Sequence, residues 1–274
     1  MSEGRRFYAV YHHTVTVSCI SIFLFNSFAK KHSIILKTRV LTFSSSRVGS
    51  SGYLETAAPV IKKFLGDVPI NIAFVPFASV SPDYEMYTNM VRSGLSAFAY
   101  NIQTVQGDTA KKTIENADAI MVGGGNTFKL LHDLYDLQLM ELIKDKANNG
   151  TPFIGWSAGS NIAGATICTS NDMPIINPGS FIALGFLPFQ INPHYYNLPV
   201  AGFNGETRNQ RLAEFMQLNT AVPIVALPEG TALLLEEGKL KLTGSTNAFL
   251  FRWQHDAPAQ VELTPGDDLS FLLY

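Results

Sequence analysis

From residue 39 onward, apolar runs of strand length alternate with segments whose apolar positions recur at helical spacing. The runs RVLTFSS, INIAFVPFA, AIMVGGG and PFIGWSAG are typical of strands buried on both faces. Helical spacing follows in YLETAAPVIKKFLG, in SPDYEMYTNMVRSGLSAF, around Thr109 to Asn116, and in NTFKLLHDLYDLQLMELIKDKANNG up to Gly150. This alternation predicts an α/β fold, a mostly parallel sheet with helices on both faces.

Local signals refine the boundaries of these elements. Ser81 and Pro82 are placed as the N-cap and first-turn proline of the second helix. PFIGWSAG begins as a strand and continues into the helical segment SNIAGA. No repeat or low-complexity linker divides the chain after residue 38, so we predict one domain over residues 38–274.

The first 37 residues form an extension with a different pattern. Arg5 and Arg6 precede an apolar, hydroxyl-rich run of twelve residues, TVTVSCISIFLF, which is too short to span a bilayer comfortably. With the small-x-small Ser27-Phe28-Ala29, the segment resembles a signal peptide and, less well, a transit peptide. We favour a poorly ordered extension or a start-codon artefact, which predicts a cytoplasmic protein and leaves a secretory or mitochondrial route open.

Composition narrows the possible functions. The 274 residues are 46% hydrophobic and 15% charged, with a net charge of −2, so a large core is expected and a nucleic-acid partner is not. Six scattered histidines and two cysteines offer no metal-ligand spacing or disulfide framework. We therefore expect a protein without a metal, a cofactor or a membrane partner. It is expected to be a monomer or a homodimer, and Cys168 is expected to be a small buried side chain.

The stretch FIGWSAGSN places one serine between two glycines, as Gly155-Trp156-Ser157-Ala158-Gly159. Glycines two positions before and after a serine suit a strand that turns abruptly into a helix and leaves the hydroxyl exposed, the G-x-S-x-G nucleophile elbow. The alternative is a β-turn with a chance pair of glycines.

The loop Gly123-Gly124-Gly125-Asn126 falls at the same predicted sheet edge as this serine, because ligands sit at the carboxyl ends of parallel strands. Three interpretations stay open: a phosphate cradle, a tight connection without a ligand, or a loop whose backbone N–H groups stabilise an oxyanion. The first lacks the G-x-G-x-x-G and Gly-Lys-Ser/Thr patterns. Proximity to the serine favours the oxyanion loop.

A serine nucleophile needs a base, and the base needs a carboxylate. His194, in the Pro-flanked loop of FQINPHYYN, is the candidate base, while His132 and His255 are assigned structural roles. Two carboxylates are candidates: Asp172 in TSNDMPIINP, and Glu229, which directly follows an apolar strand in IVALPEGTALLL. Either carboxylate could instead belong to a turn.

Six segments together resemble the peptidase E family, the α-aspartyl dipeptidases: MVGGGNTFKLL, IGWSAGSNIA, TSNDMPII, QINPHYYN, NGETRNQRLAEF and ALPEG. The resemblance runs from about Val40 to about Phe251. It implies a serine peptidase on a fold like that of class I glutamine amidotransferases, one that cleaves dipeptides with an N-terminal aspartate without a metal or cofactor.

The resemblance also implies residue roles. Ser157 matches the nucleophile and His194 the base. Asp172 matches an aspartate regarded as part of the active site, and Glu229 matches the glutamate proposed as the triad acid. We prefer Glu229, since a carboxylate directly after a strand can be held rigidly beside the histidine loop, and expect Asp172 to shape the pocket. The backbone groups of Gly124, Gly125 and Ala158 are the expected oxyanion donors.

Aspartate selectivity needs a cation, and NGETRNQR supplies Arg208 and Arg211. Arg208 matches the family arginine that holds the substrate side chain, and a guanidinium grips a carboxylate through two parallel hydrogen bonds. Asn126, at the end of the glycine loop, is a second expected substrate contact. The alternative for both arginines is a solvated helix face paired with Glu206 or Glu214.

Three rival functions remain. A glutamine amidotransferase would need a cysteine where Ser157 stands. A cyanophycinase-like hydrolase also uses serine, although the short chain and the GETR match favour the dipeptidase. A non-catalytic binding protein on the same scaffold is the third rival, and the intact Ser, His and acidic set argues against it.

Overall fold

The computed structural model describes residues 33–198, 202 and 204–274. The strands are β1 Val40–Phe43, β2 Ile70–Val75, β3 Tyr100–Thr104, β4 Ala119–Val122, β5 Phe153–Trp156, β6 Gln190–Pro193, β7 Ile224–Leu227, β8 Thr231–Glu236, β9 Lys239–Gly244, β10 Ala248–Gln254 and β11 Ala257–Leu263. The α-helices are α1 Ala58–Leu65, α2 Tyr84–Gly94, α3 Ala110–Glu115, α4 Thr127–Asp136, α5 Met140–Asn148, α6 Ala158–Asn161 and α7 Arg208–Leu218. Short 3-10 helices cover Gly107–Thr109 and Ser270–Leu273.

The larger sheet has seven strands in the order β3-β2-β4-β5-β1-β8-β9. Its first five strands are parallel, and β8 and β9 add an antiparallel edge. Strands β1, β4 and β5 are buried along their whole length, which is why their sequences are continuous apolar runs rather than alternating ones.

Alternate side chains of these strands enter two different cores, because successive side chains of a strand point to opposite faces. Along β4, Ala119 and Met121 join one core and Ile120 and Val122 the other. Helices α1 and α2 cover the first face, and α3, α4 and α5 cover the second. The predicted α/β fold with helices on both faces is confirmed.

A smaller sheet has the order β11-β10-β7-β6. Within it β6 and β7 are parallel, and Pro193 lies opposite Leu227. Helix α7 packs on this sheet through Leu212 and Met216. On the other side, Ile191 and Val225 share the core that lies beneath α4 and α5. The two sheets are therefore joined by common apolar packing.

Two local predictions were wrong. The segment from 126 to 150 is not one helix: α4 and α5 are separated at Gln138, whose positive φ of 55° is incompatible with a continuous right-handed helix. The N-cap of α2 is Asp83 rather than Ser81, because the Asp83 carboxylate accepts the N–H of Met86. Ser81 instead makes bonds within the preceding turn.

The predicted extension lies mostly outside the described residues. Its last residues, 33–37, form a helical turn, and Ile35 is buried in the core beneath α4 and α5. Cys168 is exposed, so its predicted burial was wrong. None of the helices in the described part of the chain has the length and apolar character needed to cross a membrane.

Candidate active site

Ser157 occupies a strained corner between β5 and α6. Its backbone has φ 53° and ψ −112°, a conformation that L-residues rarely adopt. Its N–H is held by the carbonyl of Phe43, at the end of the neighbouring strand β1, over 3.1 Å. The structure therefore gives the half-buried Ser157 the strand-to-helix position of a nucleophile elbow.

Close backbone packing explains the two flanking glycines. A Cβ atom on Gly155 would lie 2.4 Å from the carbonyl oxygen of Gly159, and one on Gly159 would lie 2.2 Å from that of Val122. Both distances are shorter than any real Cβ contact. The pattern Gly-x-Ser-x-Gly is thus a steric requirement of this corner, which a β-turn with chance glycines would not impose.

His194 and Glu229 follow two adjacent parallel strands of the smaller sheet. His194 comes directly after β6, and Glu229 two residues after β7. His194 Nε2 lies 3.0 Å from Ser157 Oγ, and His194 Nδ1 lies 2.9 Å from Glu229 Oε1. Because parallel strands end at the same edge, His194 and Glu229 emerge side by side beside Ser157.

Ser44 connects the two sheets beneath this hydrogen-bonded chain. Its buried Oγ accepts the backbone N–H of His194 over 2.9 Å and donates to the carbonyl of Leu227 over 2.7 Å. His194 itself has a positive φ of 51°, so its loop needs such support. No sequence motif marks Ser44; its one signal in the sequence is that its hydroxyl comes immediately after a buried strand at the ligand edge.

Among the described residues, Asp172 makes no hydrogen bond to His194. Its Oδ2 accepts the N–H of Thr127, the first residue of α4, over 2.8 Å. Its loop is fixed to the end of β6, where Asn171 Nδ2 donates to the carbonyl of Pro193 over 2.8 Å. Asp172 thus fills a helix N-terminus, where a negative charge is favourable.

Asn126 is the N-cap of α4. Its Oδ1 accepts the N–H of Lys129 over 3.0 Å, and its Nδ2 donates to the carbonyl of Met173 over 2.8 Å. An amide nitrogen carries two hydrogens, so one N–H remains after these bonds. Asn126 and Asp172 together fasten the loop after Cys168 to the start of α4.

The glycine loop lies against Ser157. A Cβ on Gly124 would be 3.0 Å from the Cβ of Ser157. Among the residues that the structure describes, the backbone N–H groups of Gly124, Gly125 and Ala158 donate no hydrogen bond. Helices α4 and α6, which follow the two loops, are joined by Asn161 Nδ2 donating to Thr127 Oγ1 over 2.9 Å.

Arg208 begins α7 and is half-buried. Burial, with the nearby charge of Arg211, lowers the pKa of the Arg208 guanidinium, while Asp172 acts in the opposite direction. Its Nη1 is buried without a hydrogen-bond partner among the described residues. Arg211, by contrast, is exposed and lies 3.8 Å from Glu206, which fits the solvated pairing considered for it.

A cleft of about 440 Å³ opens beside the serine. It is lined by Ser157 and His194 and by Gly124, Gly125 and Asn126 of the glycine loop. Further lining residues include Tyr53, Tyr87, Met86 and Met90. Within the described ranges, no group of three or more His, Cys, Asp or Glu side chains could hold a metal ion. What the described site offers is a polarised hydroxyl, a base and free backbone donors, the components of acyl transfer.

Comparisons with known proteins identify the family of this chain. The sequence model of peptidase family S51 matches residues 40–243. Peptidase E from Nostoc sp. (strain PCC 7120) is 45% identical over 239 residues, covering 87% of this chain and 98% of that protein. Peptidase E from Shewanella oneidensis is 44% identical over 239 residues, covering 87% of this chain and 100% of that protein.

The fold is also found among solved structures. The crystal structure of a peptidase from an acI-B1 Actinobacterium superposes with a TM-score of 0.65 at 18% identity, covering 85% of this chain and 97% of that one. The expected glutamine amidotransferase-like fold is thereby confirmed. On the family match and the two relatives, this chain belongs to peptidase family S51, the family of peptidase E, and is a peptidase.

Proposed function

We propose that this peptidase is a serine dipeptidase that hydrolyses dipeptides with an N-terminal aspartate through an acyl-enzyme at Ser157. The observation that carries the mechanism is the continuous chain from Ser157 Oγ through His194 to Glu229, at 3.0 and 2.9 Å. Glu229 is the triad acid in this proposal, and Asp172 has a structural role at the start of α4.

In the first half-reaction, Ser157 Oγ attacks the carbonyl carbon of the aspartyl residue and its proton passes to His194 Nε2. The C=O electron pair moves onto oxygen, where the N–H groups of Ala158 and of Gly124 or Gly125 stabilise the charge. Glu229 holds the Nδ1–H tautomer and stabilises the imidazolium. The C–N bond then breaks, and His194 returns the proton to the departing amine.

In the second half-reaction, His194 Nε2 takes a proton from water, whose oxygen attacks the aspartyl ester carbon. The tetrahedral adduct collapses, the bond to Ser157 Oγ breaks, and His194 reprotonates that oxygen. One water is consumed, and free aspartate and the second amino acid are released.

Arg208 supports the substrate class. A buried guanidinium nitrogen without a partner costs free energy unless a ligand pairs with it. The β-carboxylate of an N-terminal aspartate supplies the matching acceptors. Asn126, which lines the same cleft as Ser157 and keeps one amide N–H, is the second proposed substrate contact.

The test is a direct assay with the purified chain. We expect release of aspartate from Asp-Leu, with little turnover of Asn-Leu, glutamine or an aspartate-arginine polymer. Preferred cleavage of the polymer would support a cyanophycinase-like hydrolase instead. Binding of Asp-Leu by calorimetry without hydrolysis would support a non-catalytic member of the fold. Either result would contradict the proposal.

A further inference from the structure

Three aromatic side chains form a hydrogen-bonded chain behind the glycine loop. Trp156 Nε1 donates to Tyr53 Oη over 3.1 Å, Tyr53 Oη donates to Tyr87 Oη over 3.1 Å, and Tyr87 Oη donates to the carbonyl of Gly124 over 3.0 Å. Each hydroxyl accepts one bond and donates the next, so every polar hydrogen along the chain has an acceptor. The chain begins on the residue that precedes Ser157 and ends on the glycine loop that faces it.

Rings hold these hydroxyls in place. Tyr87 packs edge-on against Phe74 at 5.0 Å between ring centroids, and Phe74 stacks on Trp156 at 5.8 Å. Burial raises the pKa values of Tyr53 and Tyr87, so both hydroxyls keep their protons and remain donors at neutral pH.

The peptide between Gly124 and Gly125 packs closely against Ser157 and Ala78 but is oriented by few hydrogen bonds. Among the described residues, the bond from Tyr87 Oη to Gly124 O is the one hydrogen bond that this peptide makes. The residues on either side are anchored, Gly123 N–H to Val75 and Asn126 N–H to Ala78. Because neither glycine has a side chain, no Cβ atom restricts rotation of the peptide plane between them. Gly125 already has a φ of 135°, a conformation that is open mainly to glycine.

We infer that Tyr87 is a positioning residue of the active site: its hydroxyl fixes the Gly124–Gly125 peptide so that the Gly125 N–H is preorganised as an oxyanion donor. In a trans peptide the C=O and the N–H point in opposite directions, so holding Gly124 O toward Tyr87 directs the Gly125 N–H away from it. Tyr53 supports Tyr87, and through Trp156 it ties the donor loop to the nucleophile strand. The inference rests on the proposed acyl transfer for its catalytic consequence.

A donor that is already oriented needs no reorganisation as the oxyanion forms, and losing one donor typically costs a hundredfold to a thousandfold in kcat. Tyr87→Phe leaves the ring and its packing but frees the peptide. We therefore expect kcat for Asp-Leu to fall by about tenfold to a hundredfold with KM nearly unchanged. Inhibition by the product aspartate, whose carboxylate carbon is planar and forms no tetrahedral oxyanion, should be unaffected.

A second measurement does not depend on any substrate. The 15N order parameter of the Gly125 amide should fall from a rigid value of about 0.85 toward about 0.6 in Tyr87→Phe, or its signal should broaden by exchange. Tyr84→Phe is the matched control, because Tyr84 lies on the same helix as Tyr87. The hydroxyl that this variant removes bonds to Lys129 and Asp133 and does not contact Ser157. That variant should keep wild-type kcat and wild-type Gly125 dynamics. Tyr53→Phe, which keeps the donor on Gly124, should show a smaller loss of kcat than Tyr87→Phe.

The outcomes separate the two proposals. Unchanged Gly125 dynamics or unchanged kcat in Tyr87→Phe would overturn the role of Tyr87, and so would a larger loss in Tyr53→Phe. A wild-type protein that is inert toward Asp-Leu, with Gly125 loosened in Tyr87→Phe, would overturn the dipeptidase function while supporting Tyr87 as the residue that fixes this peptide.

Discussion

The backbone N–H of His194 donates to Ser44 Oγ across the junction of the two sheets, over 2.9 Å. Ser44 follows β1 in the larger sheet, and His194 follows β6 in the smaller one. Since Ser44 also donates to Leu227, near Glu229, a single buried hydroxyl fixes the loops of both the base and the carboxylate.

Ser44→Ala should therefore lower activity without touching the reacting groups. It leaves the His194 N–H without its acceptor, while the Leu227 carbonyl keeps the hydrogen bond from the Tyr195 N–H over 3.0 Å. We expect a loss of about 1–3 kcal/mol in the free energy of unfolding. We also expect about a tenfold loss in kcat, because the histidine loop is no longer held. Urea unfolding and steady-state kinetics measure the two effects.

Ser45→Ala is the control for this prediction, since Ser45 Oγ bonds locally, to the carbonyl of Arg47. Equal losses of stability and kcat in both variants would refute the specific role of Ser44.

Ser157→Ala should abolish nearly all hydrolysis of Asp-Leu while the far-ultraviolet circular dichroism and thermal midpoint stay close to wild type. A small residual rate above water is expected from binding and the backbone donors. A fluorophosphonate probe should label the wild-type protein and fail to label the variant. Near wild-type turnover by Ser157→Ala would end the assignment of the nucleophile.

Glu229→Gln and Asp172→Asn distinguish the two carboxylates. Glu229→Gln removes the charge that stabilises the imidazolium, so kcat should fall strongly, by about a thousandfold or more. Asp172→Asn keeps an acceptor for the Thr127 N–H but loses the charge at the start of α4. We expect a milder loss of activity, partly through KM, and about 0.3–1 kcal/mol of stability. The reverse ranking of kcat would move Asp172 into the triad.

Arg208→Met should erase most of the preference for Asp-Leu over Asn-Leu, which we expect to be about a hundredfold or more in the wild type. The apolar chain of methionine keeps much of the packing volume while removing the charge. Labelling of Ser157 by a small fluorophosphonate should continue at the wild-type rate. Arg211→Met, at the exposed arginine three residues later, is the matched control and should keep the preference; loss of selectivity there alone would reassign the carboxylate contact.

The order of the elements was predictable because burial on both faces leaves a clear trace in the sequence. Continuous apolar runs predicted β1, β2, β4 and β5, and the glycines around Ser157 predicted the elbow because each faces a backbone at a distance that excludes a side chain. The break at Gln138 was not predictable, since the apolar spacing of α4 continues into α5. Asp83 and Ser81 are both good N-caps, and only the geometry of the turn selects between them.

The candidate site was predictable as a set of residues but not as an arrangement. Sequence spacing does not show that β6 and β7 pair in parallel, and this pairing is what brings His194 and Glu229 together while Asp172 turns toward α4. Tyr87 escaped notice because it acts on a backbone carbonyl, which leaves no motif in the sequence. Ser44 also acts on backbone groups, and its one sequence signal is its position directly after the buried strand β1.

The division of the site between two sheets also bears on the redesign of this peptidase. The serine corner and its donor loop are built by β4, β5 and the helices that follow them, whereas the base and the carboxylate come from residues after β6 and β7. The segment from Gln190 to Glu229 could therefore be exchanged between homologues as one cassette, provided that it presents a backbone N–H and a carbonyl to Ser44. In the proposed mechanism, chimeras of this kind would take the nucleophile Ser157 from one parent and the proton-transfer residues His194 and Glu229 from the other.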